Sequence, residues 1–123
     1  MIFARRVFLV AGVYGILALV PMYFFEDRLS PPLTHPEHFY GFVGVALAWQ
    51  VLFLILSRDP VRYRPMMVPA VLEKLAFGVA VVVLFLQGRV AAPALGPAAI
   101  DLMLAGLFGA AYWRTASDAP RAG

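Results

Sequence analysis

The sequence predicts an all-α, multi-pass integral membrane protein, an antiparallel bundle of four transmembrane helices. The 123-residue chain is 63% hydrophobic and only 14% charged, whereas soluble domains are about half apolar and a quarter charged. Residues 39–56 form a run without a single charged side chain. A helix of that length crosses about 27 Å, close to the thickness of a bilayer's hydrocarbon core. Three more apolar segments of similar length accompany it.

The first predicted transmembrane helix covers residues 7–25. It follows two arginines, as the apolar part of a signal peptide would, but it is longer than such a segment. It is followed by Glu26, Asp27 and Arg28 rather than by an Ala-x-Ala cleavage site, so we expect the helix to be retained. Pro21 lies late in this segment and is expected to kink or end the helix.

The second predicted helix covers residues 38–57 and follows a proline-rich loop. Pro36 suits the first helical position, because its φ angle is already helical and that position needs no amide hydrogen. His35 would then be the N-cap residue. Glu37 would lie in the first turn, where the helix dipole favours an acidic side chain.

The third and fourth predicted helices cover residues 69–87 and 97–114, and each can begin at a proline, Pro69 or Pro97. Together the four helices make one transmembrane domain, residues 1–114. The remaining residues, 115–123, are small and polar, so we predict a disordered cytoplasmic tail.

The basic residues predict the orientation of the chain, because positive charges near membrane spans stay in the cytoplasm. Eight of the ten fall on one side of the predicted helices: Arg5, Arg6, Arg58, Arg62, Arg64, Lys74, Arg114 and Arg121. Arg28 and Arg89 fall on the other side. We therefore expect a protein of the cell (inner) membrane with both termini in the cytoplasm. Since the basic residues flank apolar runs, the net charge of +3 indicates topology and a lipid bilayer as partner, not nucleic acid.

Two charged residues, Glu73 and Lys74, lie inside the third apolar segment. The interpretation that the sequence favours is an interfacial pair, with Lys74 extending to the lipid headgroups. The alternative is a proton or substrate site, because Glu73 could point into the bundle. It shares a helical face with Ala76, Ala80 and Gln87. Gln50, near the middle of the second helix, is the other polar candidate for such a site.

One polar pair is predicted to be structural. Asp101 lies one turn into the fourth predicted helix, and Arg89 follows the end of the third. Since the two are separated only by a short loop, we expect an Arg89–Asp101 contact rather than a catalytic role.

The segment His35-Pro36-Glu37-His38 combines two imidazoles and a carboxylate, which are transition-metal ligands. Glu26, Asp27 or Asp101 could complete such a site. The sequence favours the simpler interpretation that His35 caps the helix and the two rings do not converge. The chain has no cysteine, which excludes thiol redox chemistry, disulfides and Cys-ligated metal sites.

Small residues occur on one face of each predicted helix, where helices in lipid approach one another closely. They are Gly12 and Gly15 in the first helix, Gly41, Gly44 and Ala48 in the second, Ala76 and Ala80 in the third, and Ala105, Gly106, Gly109 and Ala110 in the fourth. These faces predict a compact bundle and also suit contacts with another chain.

The order of segments resembles that of the small bacterial membrane proteins grouped as DoxX-like. The similar features are an apolar first helix with a late proline (LALVP, residues 17–21), a glycine-rich second helix (YGFVGVALAWQ, residues 40–50) and an arginine-rich loop (RDPVRYRP, residues 58–65). Two further apolar helices follow. The resemblance implies a four-helix membrane fold and no particular activity.

The sequence supports three functional hypotheses. The first is a non-enzymatic accessory subunit or homo-oligomer, based on the small-residue faces and the lack of a convergent catalytic set. The second is a transporter or carrier of a small solute or lipid that uses Glu73 and Gln50. The third is a metal- or haem-associated membrane enzyme that uses His35 and His38.

Overall fold

The structure, a computed structural model, describes residues 1–29 and 32–117. This part of the chain is all-helical and contains four α-helices: α1 (Ile2–Leu19), α2 (Pro36–Arg58), α3 (Met67–Leu86) and α4 (Leu95–Arg114). Short 3₁₀ turns precede α3 and α4 and follow α1. All four helices are long and apolar enough to span a membrane.

Proline determines where α1 ends. The α-helix stops at Leu19, and the chain continues as a 3₁₀ turn, Val20–Tyr23, that contains Pro21. Proline has no amide hydrogen and collides with the preceding turn of an α-helix, so the α-helical pattern stops before it. The helical segment therefore covers residues 2–23, rather than the predicted 7–25.

Prolines also lie at the starts of the other helices. Pro36 is the first residue of α2 and His35 is its N-cap, but the imidazole makes no capping hydrogen bond within the described residues. Pro69 and Pro97 are the third residues of α3 and α4, so both helices begin two residues earlier than predicted. This is possible because no amide in the first turn of a helix has an intrahelical partner.

The helices are packed in the order α2–α1–α4–α3. α1 packs on α2 and α4, and α3 packs on α4, whereas α2 and α3 contact each other little. Three fully buried rings, Phe8, Phe53 and Phe108, lie at the centre of the bundle. The Phe108 centroid lies 4.3 Å from that of Phe8 and 5.0 Å from that of Phe53, so one aromatic cluster joins α1, α2 and α4.

Some of the small residues lie where helices touch. A Cβ atom added to Gly78 of α3 would lie 2.7 Å from Leu102 and 3.2 Å from the Ala98 carbonyl oxygen of α4. By contrast, Gly41 of α2 and Gly106 of α4 have open space in front of them as far as the described residues go. Within the described part of the chain, no helix packs closely against these two glycines.

The end of α4 continues into an ordered turn. Thr115 is fully buried, and its hydroxyl donates a hydrogen bond to the carbonyl oxygen of Ala111, 2.8 Å away. The polar tail predicted from residue 115 therefore does not begin there. Residues 118–123, which include Arg121, and residues 30 and 31 of the predicted loop lie outside the described residues.

Candidate functional site

The divergence of α2 and α3 leaves a groove of about 980 Å³ between them. Along α2 it extends from Glu37 to Trp49, a rise of about 18 Å. We call it the α2–α3 groove. Its lining residues are Glu37, His38, Gly41, Phe42, Val45, Ala46 and Trp49 of α2, and Pro69, Leu72, Glu73, Ala76, Phe77 and Ala80 of α3.

Aromatic and small side chains form most of the groove. The rings of Phe42 and Phe77 stack with their centroids 5.9 Å apart and so connect the two walls. Trp49 lies two helical turns from Phe42 on the same side of α2. None of these aromatic residues was predicted from the sequence as part of a site. Their only sequence signal is the seven-residue spacing of Phe42 and Trp49, which is also common in ordinary packing faces.

Glu73 supplies a carboxylate in the wall of the groove, in addition to the exposed Glu37 at its end. Its side chain is only 16% exposed, and its Oε2 atom has no hydrogen-bond partner among the described residues. Ala76 and Ala80 line the groove beside it, on the face that the sequence predicted. Gln87, expected on that face as well, is exposed at the end of α3. The Glu73 side chain therefore forms part of the groove wall, while its Oε2 atom is buried beside Lys74.

Lys74 lies inside the bundle and does not extend to the lipid headgroups. Its side chain is 4% exposed, and its Nζ atom lies 3.7 Å from Glu73 Oε2 and 3.6 Å from Asp101 Oδ1. The ammonium also lies 5.2 Å from the centroid of the Phe53 ring. The favoured interpretation of an interfacial pair is therefore wrong. The ammonium is surrounded by two carboxylates and an aromatic face, which favour a positive charge.

We call Glu73, Lys74 and Asp101 the charge triad. With all three groups ionised it carries two negative charges and one positive charge, in a segment apolar enough to span a membrane. Charged side chains at such depth are costly, so they mark functional sites unless they are fully compensated. The charge triad therefore has one more carboxylate than it has positive charges to neutralise it.

The predicted Arg89–Asp101 contact is not formed. Arg89 Nη1 instead donates to Gln87 Oε1 at 3.3 Å. α3 ends at Leu86 and is followed by Gly88, whose φ of +70° is rarely adopted by residues other than glycine. The Arg89 amide then donates a hydrogen bond back to the Leu84 carbonyl oxygen. Asp101 is the seventh residue of α4, about 9 Å from its start, and is turned toward Lys74.

Gln50 is placed away from the α2–α3 groove. It is fully buried against α1, where its amide occupies the position that a Cβ on Gly15 would take. Its Nε2 atom donates to the Ala46 carbonyl oxygen at 2.9 Å, one turn back in α2. The structure thus separates Gln50 from Glu73, the partner that the sequence proposed for it.

His35, Glu37 and His38 converge at the start of α2, contrary to the favoured prediction. We call them the histidine cluster. His35 Nδ1 lies 3.3 Å and His38 Nε2 lies 3.9 Å from the same oxygen, Glu37 Oε1. All three side chains are exposed. Glu26 and Asp101, which the sequence offered as further ligands, are instead bonded to Tyr40 and paired with Lys74, respectively.

No family model, curated protein or solved structure matches this chain. The similarity to DoxX-like proteins therefore stays a prediction. The α2–α3 groove, the charge triad and the histidine cluster are the features that indicate function.

Proposed function

We propose that this protein spans the cell (inner) membrane as an antiparallel four-helix bundle and is a carrier or transporter of a small amphipathic solute or lipid. The observation that carries this proposal is the carboxylate of Glu73 in the wall of the α2–α3 groove, whose Oε2 atom lies 3.7 Å from Lys74 Nζ and accepts no hydrogen bond within the described residues. A large apolar pocket with a few polar groups is the typical form of a small-molecule site. At about 980 Å³, the groove is at the upper end of the usual range for such pockets, about 300–1,000 Å³.

The groove also indicates the chemistry of the ligand. Its apolar walls suit an acyl chain or another hydrocarbon portion, and Phe42, Phe77 and Trp49 offer flat surfaces to it. Because the charge triad has one carboxylate in excess, Glu73 suits a head group that donates a hydrogen bond or carries a positive charge. Lys74 and Asp101 would hold the Glu73 side chain in position. Gln50 has no part in this site, in contrast to the hypothesis from the sequence.

A subunit or homo-oligomer, the hypothesis ranked first from the sequence, is the second candidate function. It is supported by the outer face of α4, where Gly106 and Gly109 have open space in front of them within the described part of the chain. Helices in a bilayer associate through such small residues. This face is distinct from the α2–α3 groove, so the two functions are compatible.

Native mass spectrometry of the full chain, extracted from its own membrane in mild detergent, tests the proposal. We expect a protein that carries a small bound molecule, and we expect Glu73→Gln to lower the bound fraction. A hydrogen bond to a charged group contributes about 1.5–3 kcal/mol, equivalent to about tenfold or more in affinity. Asp27→Asn, a change at an exposed acid outside the groove, is the matched control.

The possible results separate the two candidates. A bound molecule that is lost from Glu73→Gln but kept by Asp27→Asn supports the carrier. A defined larger mass without a bound molecule supports the subunit or homo-oligomer. A bare protein whose reconstituted vesicles show no flux of extracted lipids or solutes contradicts the carrier.

A further inference from the structure

The start of α2 brings three metal-ligating side chains together. His35 is the N-cap residue, and Glu37 and His38 are the second and third residues of the helix. Residues three apart lie on the same side of a helix, so the two imidazoles are neighbours, with ring centroids 5.4 Å apart. Pro36 fixes the backbone between them at a helical φ angle.

The distances between the ligating atoms are close to those of a metal site. Zinc binds histidine nitrogen and carboxylate oxygen at about 2.0–2.2 Å, so two ligand atoms of a tetrahedral site are about 3.3–3.6 Å apart. The two histidine-to-Glu37 distances are 3.3 and 3.9 Å, and all three ligand atoms lie within 4.8 Å of one another. Because the side chains are exposed, a small rotation of one ring closes the remaining gap.

The donor set indicates which ion fits. Two imidazoles and one carboxylate suit Zn²⁺ and Cu²⁺, whereas Mg²⁺ and Ca²⁺ prefer oxygen ligands only. The Glu37 carboxylate also offsets the partial positive charge at the N-terminus of α2, which by itself would disfavour a cation.

We propose that His35, Glu37 and His38 bind a divalent transition-metal ion, Zn²⁺ in particular, with at least one coordination position left open. Glu37 and His38 also line the end of the α2–α3 groove, so the ion lies at the mouth of the groove. The open position takes a water molecule or an oxygen or nitrogen atom of a molecule in the groove. The metal site does not depend on the proposed carrier function, because its ligands are complete without a groove ligand.

Isothermal titration calorimetry of the purified full chain in detergent, with Zn²⁺ as the only added ligand, tests this proposal. We expect about one Zn²⁺ per chain, as for a single three-ligand site. His35→Ala and His38→Ala should each weaken binding by at least about tenfold, the loss seen even when an outer-shell partner of a metal ligand is removed. Asp59→Asn, a change at an acid beyond the opposite end of α2, should leave the affinity unchanged, and excess Mg²⁺ should not compete.

Cu²⁺ serves as a second probe that reports the ligands directly. Electron paramagnetic resonance of the Cu²⁺-loaded protein should show coupling to imidazole nitrogens that is lost in the His35→Ala, His38→Ala double variant. Because both histidines are exposed, the variants should keep the helical circular dichroism of the unmodified protein. Zn²⁺ binding that is unchanged in the double variant, or no Zn²⁺ binding to the unmodified protein, would overturn the proposal.

Discussion

Lys74 is a charged residue in a part of the bundle where little water can solvate it. Its ammonium lies within 3.7 Å of both Glu73 Oε2 and Asp101 Oδ1 and faces the Phe53 ring. The two carboxylates come from α3 and α4, so one lysine compensates charge on two helices. The main contribution of Lys74 to stability is therefore to neutralise these acids, because an unpaired buried carboxylate is strongly destabilising.

Replacing Lys74 by methionine, which keeps much of the volume but removes the charge, should destabilise the protein by about 3–5 kcal/mol, because it leaves buried charges uncompensated. Thermal unfolding in detergent measures this loss. Arg58→Met removes an exposed positive charge and should change stability by no more than about 0.5 kcal/mol.

A triple variant checks the cause of that loss. Glu73→Gln, Lys74→Met and Asp101→Asn together remove every charge of the triad, so most of the stability should return, since a neutral set of similar volume needs no compensation. If Lys74→Met alone were as stable as the unmodified protein, the triad would not contribute to the fold.

At the scale of the helices, the apolar runs predicted the existence of all four long helices but not their boundaries. Hydropathy indicates which segments are apolar, and each helix is apolar along most of its length, so hydropathy does not mark the residue at which a helix begins or ends. The ends depend on single prolines. Pro69 and Pro97 are accommodated in a first turn rather than at its first position, and Pro21 stops α-helical bonding two residues before itself.

The α2–α3 groove could not be predicted from the sequence, because it results from two helices that fail to pack. The small residues Gly41, Ala76 and Ala80 were expected to bring helices together, but they line the groove instead. A small residue permits close approach without causing it. Here α3 packs against α4 through Gly78, which leaves the Ala76 face open.

Filling the groove should remove ligand binding without unfolding the bundle. Ala76→Leu places a branched side chain in the groove beside Glu73 and should lower the fraction of protein that carries a bound molecule in native mass spectrometry. The unfolding temperature should change little, because the groove has space for the added atoms.

Ala99→Leu adds the same atoms to an exposed position of α4 and is the matched control. It should leave the bound fraction unchanged. Equal retention of the molecule by both variants would place the ligand outside the α2–α3 groove.

At the scale of the whole molecule, the sequence identified Glu73, Lys74 and Asp101 as unusual but not as one site. Glu73 and Lys74 are adjacent in the chain, whereas Asp101 joins them only because α4 packs on α3. The same packing leaves Arg89 beyond the end of α3, which is why the predicted Arg89–Asp101 pair was wrong. Which residue pairs with a charge inside a bundle depends on which helices are neighbours. Short loops are compatible with several arrangements of the helices, so the sequence does not determine the pair.

Orientation in the membrane is the property of the whole molecule that the charge distribution predicts most directly. Since the chain has no native cysteine, single cysteines introduced at exposed positions report which side they face. In intact cells, a membrane-impermeant maleimide should label Thr34→Cys and Ala91→Cys. It should label Ser117→Cys only after the membrane is permeabilised.

This pattern is expected because arginine and lysine near the spans resist translocation, so the loop with Arg58, Arg62 and Arg64 stays in the cytoplasm. It also determines where the proposed sites act. The histidine cluster would then face the periplasm, where it could take up metal ions from outside, and the charge triad would lie within the bilayer. If Ser117→Cys were labelled in intact cells, the predicted orientation would be wrong and the metal site would lie on the cytoplasmic side.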